Sequence, residues 1–192
     1  MTPETTHPQQ PNTKPFAKVV KRICEFRSSG SVLDVGTGEG THALFLASQG
    51  FEVTALDVTD EKFAKIAEEA KQQGVHIKTV VGDVLSLDQL GTTFDIVICT
   101  SVLHFLTADK IAAAVEQLQQ ATNPHGLNVV SAHTVKNEGE VRAHLFAEGE
   151  LQAYYKKWPM LYEWEGLGGP FMTPSGELMQ KHRSELIAEK PE

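Results

Sequence analysis

Three glycines at alternate positions form the most informative stretch of the sequence. Gly36, Gly38 and Gly40 follow Asp34 in the order D-x-G-x-G-x-G. Glycine permits tight turns and leaves backbone N–H groups open to a ligand. The stretch follows a predicted strand and precedes a predicted helix, which is where ligands bind in open α/β sheets. We therefore predict a ligand-binding loop that includes Thr37, with an ordinary glycine-rich turn as the alternative.

A second carboxylate ends the next predicted strand. Asp57 lies at the carboxyl end of that strand, and its two acceptor oxygens can accept both hydroxyls of a ribose. We predict that Asp57 and Val58 contact a nucleotide-like ligand, with an exposed strand-end aspartate as the alternative. The dinucleotide fingerprint G-x-G-x-x-G has a similar layout, but Thr41 stands where that fingerprint requires glycine. A nicotinamide-dependent oxidoreductase of Rossmann type shares the layout and is an alternative function, although Thr41 and Asp34 argue against it.

Two histidines lie where an acceptor molecule would approach the sheet. His104 comes just after the fourth predicted strand, and His133 ends the fifth. Because the reference pKa of histidine is about 6.5, either side chain could act as a general base, and both are predicted catalytic residues. An ordinary pocket histidine is the alternative for each. No H-x-x-x-H or C-x-x-C spacing occurs, so no metal is expected. Arg142 and Tyr154 are predicted substrate contacts.

The rest of the sequence alternates predicted strands with predicted helices. Short apolar segments predict strands at residues 31–35, 52–57, 77–81, 94–100 and 127–132, and two closing strands at residues 160–165 and 181–189. Amphipathic segments predict helices at residues 41–49, 60–73, 108–121 and 148–157. Such alternation is typical of a parallel sheet with helices on both faces. We predict a Rossmann-like, three-layer α/β/α fold with a mostly parallel seven-stranded sheet and an antiparallel edge strand.

The order of these motifs resembles that of the class I S-adenosylmethionine (SAM) methyltransferases. D-x-G-x-G-x-G resembles their first motif, and G-D at residues 82–83 and F-D-I-V at residues 94–97 match later ones. The resemblance implies S-adenosyl-L-methionine as the methyl donor and S-adenosyl-L-homocysteine as the product. It assigns Asp83 to the adenine amino group and the backbone N–H of Val84 to a ring nitrogen. Thr100, at the end of the fourth strand, is a further predicted cofactor contact.

Within that class, the sequence from residue 15 onwards resembles the tellurite-resistance (TehB-like) methyltransferases. The resemblance rests on residues 32–47, on V-L-H-F-L at residues 102–106, and on F-A-E-G-E-L at residues 146–151 with Tyr154, Tyr155 and Trp158 after it. It implies methyl transfer to a small molecule such as a chalcogen oxyanion, a thiol or a related detoxification substrate. For Tyr155 and Trp158 we expect only a packing role.

The chain departs from that family pattern at three places. Thr37 stands where members often have Cys, and Thr41 where they often have Arg. The connection at residues 169–174 reads G-P-F-M-T-P in place of a His-Arg-Thr-Asp-like stretch. Basic residues that would hold an oxyanion are therefore missing there, which argues against tellurite or selenite. Arg142, His144 and His133 are the other predicted contacts for an anionic acceptor.

Composition restricts the partners. The 192 residues include 17 Lys and Arg against 25 Asp and Glu, a formal charge of −8, which argues against nucleic acid. No apolar run approaches the roughly 20 residues that span a bilayer, so no membrane partner is expected. We expect a cytoplasmic monomer or homodimer with a flexible tail at residues 1–14 and a methyltransferase domain at residues 15–192. A non-catalytic SAM-binding module is a second alternative.

Overall fold

The structure of the protein, a computed structural model, describes residues 17–137, 140–172 and 176–192. The predicted tail at residues 1–14 lies outside the described residues. The strands are β1 (Ser31–Val35), β2 (Glu52–Asp57), β3 (Ile77–Val81), β4 (Phe94–Thr100), β5 (Thr122–His133), β6 (Met160–Leu167), β7 (Phe171–Met172), β8 (Leu178–Met179) and β9 (His182–Glu189). The α-helices are α1 (Lys18–Lys21), α2 (Ile23–Phe26), α3 (Thr41–Ser48), α4 (Phe63–Gln72), α5 (Ala108–Gln120) and α6 (Glu150–Ala153), with 3-10 helices at Val84–Leu90 and Leu103–Phe105. No helix within these ranges is long and apolar enough to cross a bilayer.

The centre of the fold is a seven-stranded sheet in the order β3-β2-β1-β4-β5-β9-β6. Strands β1 to β5 run parallel to one another, and β9 pairs antiparallel with both β5 and β6. The predicted mostly parallel seven-stranded sheet with an antiparallel edge is confirmed. Strands β7 and β8 pair as a separate two-stranded ribbon, which the sequence did not predict.

Alternate residues of the central strands face two different helical layers. Along β1, Val32 belongs to the buried cluster that includes residues of α1, α2 and α3. Leu33, the next residue, belongs to the cluster that includes residues of α5 and the longer 3-10 helix. This follows from the period of two in a β-strand, which places neighbouring side chains on opposite faces of the sheet. The predicted three-layer α/β/α arrangement is confirmed.

Four elements differ from the prediction by two residues or more at one or both ends. Strand β5 begins at Thr122, because residues 123–126 form an irregular part of the strand and not a separate turn. Helix α4 begins at Phe63 and not at residue 60. Strand β6 continues to Leu167, and helix α6 contains only Glu150–Ala153 of the predicted residues 148–157.

The short length of α6 has a physical reason. After this helix the chain continues in tight turns, in which the Trp158 N–H donates to the Tyr155 carbonyl at 2.8 Å. These turns place Tyr155 in the core with no exposed surface, and its hydroxyl donates to Oδ1 of Asn128 at 2.9 Å. A buried polar group requires such a partner.

Candidate active site

A cavity of about 530 Å³ opens at the carboxyl ends of the parallel strands. We call it the glycine-loop cavity, and it has the size of a typical small-molecule site. Most of the residues predicted to bind a cofactor line it: Gly36, Thr37, Gly38, Asp57, Val58, Asp83, Val84 and Thr100. Asp34 and Gly40, which were also predicted as cofactor contacts, are not among its lining residues.

The three glycines of the loop have positive φ angles but different surroundings. A Cβ added at Gly36 would lie 2.3 Å from Cγ2 of Val102, and one at Gly40 would lie 2.7 Å from Cγ1 of Ile66. A Cβ at Gly38 would meet nothing within 4 Å. The outer two glycines are therefore required for packing of the loop, whereas Gly38 leaves its backbone open towards the cavity.

Asp34 shapes the loop from behind the cavity wall. Its side chain is buried, and its Oδ2 accepts a hydrogen bond from Oγ1 of Thr37 at 2.8 Å. Burial raises the pKa of Asp34 to about 6, although the hydrogen bond from Thr37 opposes the shift. Asp34 therefore fixes the loop conformation and is held there at an unfavourable electrostatic cost.

Asp57 connects the end of β2 to the loop. Its Oδ2 accepts the N–H of Gly38 at 2.9 Å, and its Oδ1 accepts the N–H of Val58 at 2.8 Å. Each carboxylate oxygen can accept a second hydrogen bond, so both oxygens can also receive donors from a ligand in the cavity. The side chain of Val58 is 63% exposed and gives the cavity an apolar wall next to this carboxylate.

Asp83 and Val84 lie at the start of the 3-10 helix Val84–Leu90. Oδ1 of Asp83 accepts the N–H of Leu85 at 2.9 Å, which is an N-terminal cap. The first N–H groups of a helix have no partner within the helix, so the N–H of Val84 can donate to a ligand. A carboxylate and an N–H donor therefore stand side by side in the cavity wall.

His42 is a cavity residue that the sequence analysis missed. The N–H of Ala17 donates to Nε2 of His42 at 3.0 Å, so the other ring nitrogen, Nδ1, carries the proton. Nδ1 lies 3.1 Å from Oγ1 of Thr100. Burial, with a further contribution from Arg183, lowers the pKa of His42 to about 4, and the ring is neutral. Its position in the first turn after the glycine loop was the one available signal.

A second cavity, of about 810 Å³, adjoins the first. The two share Thr41, Ser101, Phe105 and Arg183 in their walls. We call the second the basic cavity, because Lys18, Lys21, Arg142, Lys181 and Arg183 all line it. The two cavities are therefore adjacent in the structure.

The two predicted catalytic histidines come together in the basic cavity. The rings of His104 and His133 are stacked, with centroids 4.1 Å apart and planes 17° from parallel. Burial is the main cause that lowers the pKa of His104, to about 3. Burial also lowers the pKa of His133, although the neighbouring Glu140 opposes this shift.

The structure adds two basic residues that the sequence analysis did not select. The connection at residues 169–174 does lack basic residues, but Lys181 and Arg183 enter the basic cavity from the last strand and the residue before it. Arg183 stands opposite His133 in the antiparallel pairing of β5 with β9. The sequence could not reveal this proximity, because it depends on the register of two strands about 50 residues apart.

The other predicted substrate residues lie in different parts of the structure. Arg142 lines the basic cavity, and its guanidinium lies 5.3 Å from the ring centroid of Phe105. Tyr154 lines neither cavity and packs against the core cluster beside α5, with its carbonyl accepting Nε2 of Gln119 at 3.1 Å. His144 also lines neither, and its Nε2 lies 2.7 Å from Glu150. Of these three residues, only Arg142 therefore lines the basic cavity.

Comparison with known proteins identifies relatives along most of the chain. The sequence model of the family described as tellurite resistance protein TehB matches residues 3–177. The probable S-adenosyl-L-methionine-dependent methyltransferase TehB of Haemophilus influenzae (strain 10810) is 30% identical over 165 residues, or 83% of this chain and 57% of that protein. The chain therefore spans little more than half the length of this curated relative.

Solved structures have the same fold. The crystal structure of TehB from Haemophilus influenzae superposes with a TM-score of 0.82 at 26% identity, over 93% of this chain and 64% of that chain. The N-methyltransferase NodS from Bradyrhizobium japonicum WM9, in complex with S-adenosyl-L-homocysteine, gives a TM-score of 0.71 at 16% identity, over 91% of this chain and 85% of that chain. The predicted class I methyltransferase fold is thus confirmed. Because the family match extends over most of the sequence, the chain belongs to the TehB family.

Proposed function

We propose that the protein is a SAM-dependent methyltransferase that acts on a small-molecule acceptor. The observation that carries this proposal is the pair of adjoining cavities, which share a wall at Ser101 and Phe105. A binding module needs only the first cavity, whereas group transfer needs a second ligand beside it. The acceptor class that we propose includes chalcogen oxyanions, thiols and related detoxification substrates. We further propose that the protein is cytoplasmic and acts as a monomer or homodimer.

The glycine-loop cavity has the donors and acceptors that SAM requires. Asp57 would accept the ribose hydroxyls while keeping its two backbone N–H partners. Asp83 would accept the adenine amino group, and the N–H of Val84 would donate to a ring nitrogen. Gly38, where added side-chain volume would meet nothing, would let the ligand approach the backbone closely. Thr37 and Thr100 would complete the polar wall, and Val58 would cover the adenine ring.

The protein's part in the reaction is positioning. SAM supplies a methyl group that is already activated on a sulfonium, so placing the acceptor in line with it is the main task of the protein. The glycine loop, Asp57 and Asp83 fix one partner, and the basic cavity fixes the other. Phe105 and Leu106 give the wall of the first cavity an apolar surface.

The acceptor would lie beside His104, His133 and Arg142. Arg142, Lys181 and Arg183 would attract an acceptor with negative charge, in a protein whose net charge is −8. Local cations, and not the overall field, would therefore determine acceptor selectivity.

Removing the Asp57 carboxylate tests the proposed cofactor site. We expect Asp57→Ala to raise the Kd for SAM by about 10- to 100-fold, since a hydrogen bond to a charged group in a partly desolvated site contributes about 1.5–3 kcal/mol. Isothermal titration with SAM measures the effect directly. A parallel titration with NAD tests the oxidoreductase alternative.

Asp60→Ala provides the matched control, because it removes an exposed carboxylate from the same connection. We expect the Kd for SAM to change less than about twofold in that variant, as is usual for exposed sites outside a binding surface. Equal affinities in the Asp57 and Asp60 variants would remove Asp57 from the site. Failure of the unmodified protein to bind SAM would refute the proposed function itself.

A further inference from the structure

Glu140 is a buried carboxylate beside one of the predicted catalytic histidines. Its side chain is 3% exposed, and its Oε1 lies 2.9 Å from Nδ1 of His133. The same oxygen lies 3.1 Å from a guanidinium nitrogen of Arg142, and Oε2 lies 3.5 Å from Nζ of Lys181. One carboxylate therefore holds a histidine and two cations of the basic cavity in place. Sequence reasoning did not select Glu140.

The contact with Glu140 determines which nitrogen of His133 can accept a proton. An ionised carboxylate only accepts hydrogen bonds, so Nδ1 of His133 carries the ring proton and donates it. The lone pair of the neutral ring is then on Nε2. Within the described part of the chain no hydrogen bond is made to Nε2, and it is not among the buried atoms without a partner. Nε2 of His133 is thus available to a ligand in the basic cavity.

His104 does not have the same arrangement. Its ring is 1% exposed, and its Nδ1 is buried without a hydrogen-bond partner in the described structure. Burial lowers the pKa of His104 further than a working base requires. The stacked ring of His104 instead fixes the plane of His133. The two histidines, which the sequence could not distinguish, therefore differ in their hydrogen-bond partners.

We propose that Glu140 orients His133 as the base that takes the proton from a protic acceptor, a thiol or a phenol, bound in the basic cavity. This inference rests on the proposed methyl transfer and narrows its acceptor class. Glu140 is a positioning residue in this scheme, since it acts through His133. A fully deprotonated oxyanion would need no such base.

The proposed reaction involves only SAM, the acceptor, His133 and Glu140. The acceptor sulfur or oxygen forms a bond to the methyl carbon while the bond from that carbon to the SAM sulfur breaks, with its electron pair remaining on sulfur. The acceptor's proton passes to Nε2 of His133. The resulting imidazolium is stabilised by the carboxylate of Glu140, as in other carboxylate–histidine pairs. The proton then leaves to solvent, and no oxidant or further reactant is needed.

The charged and titratable groups around His133 come from several elements. They are His104, Glu140, Arg142, Lys181 and Arg183. The cations disfavour a protonated His133, and Glu140 favours it. Removal of the Glu140 charge should therefore lower the pKa of His133.

The first test measures His133 without any turnover. In ¹⁵N NMR of histidine side chains, assigned with His133→Asn, we expect a neutral ring protonated on Nδ1. Glu140→Gln should lower the pKa of His133 by about one unit or more, because the imidazolium loses its counter-charge. Glu140→Asp should restore part of the shift and serves as the test if the Gln variant does not fold. Glu150→Gln is the matched control: it alters another Glu–His contact, 2.7 Å at His144, and should leave the pKa of His133 unchanged.

The second test uses 2-mercaptoethanol and phenol, which stay protonated at neutral pH, as protic probes. Selenite is the comparison, because methylation on its selenium lone pair removes no proton. We expect Glu140→Gln to lower kcat for the protic probes by about tenfold or more and to move the acid limb of the pH profile, with the Kd for SAM unchanged. An unchanged His133 pKa in Glu140→Gln and Glu140→Asp, or a ring protonated on Nε2, would overturn the positioning role. Methylation of selenite alone, or of none of the three probes by protein that binds SAM, would overturn the acceptor class. Failure of the unmodified protein to bind SAM would instead count against the proposed function.

Discussion

Gly36→Ala is expected to lower the free energy of unfolding by about 3 kcal/mol. Two costs combine at this residue. Its φ of +69° is a conformation that residues other than glycine adopt at a cost of roughly 1–3 kcal/mol. The new Cβ would also lie 2.3 Å from Cγ2 of Val102, and overpacking typically costs about 1–3 kcal/mol more. Urea denaturation followed by circular dichroism measures the change.

Two other glycines separate these costs. Gly91→Ala introduces a side chain at a φ of +64° with nothing within 4 Å, at a turn that does not line either cavity, so it should cost only the backbone strain. Gly38→Ala has the same freedom from contacts at a φ of +51°, but it faces the glycine-loop cavity. We expect Gly38→Ala to weaken SAM binding more than it lowers stability. Equal destabilisation by the Gly36 and Gly91 variants would show that Val102 moves aside without cost.

The sequence predicted most of the sheet and the position of the first cavity. The bounds of β1, β2, β3 and β4 agree with the prediction, because each is a short segment rich in apolar residues that ends at a polar residue or just before a glycine. The predicted ligand-loop residues lie together because parallel strands end at the same edge of the sheet. Local sequence determines both features.

The second cavity depends on contacts between distant residues. Arg183 meets His133 only through the antiparallel register of β9 with β5, and Glu140 contacts Lys181, which precedes β9. Neither pairing produces a periodic or spaced motif in the sequence. The absence of basic residues at 169–174 argued against tellurite or selenite, and nothing in the sequence indicated that Lys181 and Arg183 would line the same cavity as His133. The bounds of β6 and α6 also differ from the prediction. After α6, the hydrogen bond from Tyr155 to Asn128 is a long-range contact of this kind.

The carboxyl of Asp34 should contribute more to the free energy of unfolding under mildly acidic conditions than at neutral pH. Burial raises the pKa of Asp34 in the folded chain to about 6, above its ordinary value of 3.8. The folded state therefore holds this proton more tightly than the unfolded state does. The stabilisation from the protonated carboxyl is fully present below about pH 4 and is lost as the pH rises through about 6, and the difference amounts to about 3 kcal/mol.

Asp34→Asn isolates this contribution. The amide oxygen can still accept the hydroxyl of Thr37, but it cannot ionise, so the variant lacks this pH dependence. We expect the free energy of unfolding of the variant, relative to the unmodified protein, to rise by about 2 kcal/mol between pH 4 and pH 7. Urea denaturation at several pH values within that range measures this difference, and contributions from other titrating groups cancel between the two proteins.

Asp95→Asn is the matched control with the opposite sign. Hydrogen bonds from the N–H of Ser31 and from Asn123 lower the pKa of Asp95, so its stabilisation is present above its ordinary pKa and is lost as the pH falls. The relative stability of that variant should therefore fall between acidic and neutral pH. If Asp34→Asn showed the same slope as Asp95→Asn, the carboxyl of Asp34 would be stabilised in its ionised form. The ionised carboxylate of Asp34 would then stabilise the loop that carries Gly36 and Gly38, and its burial would have no electrostatic cost.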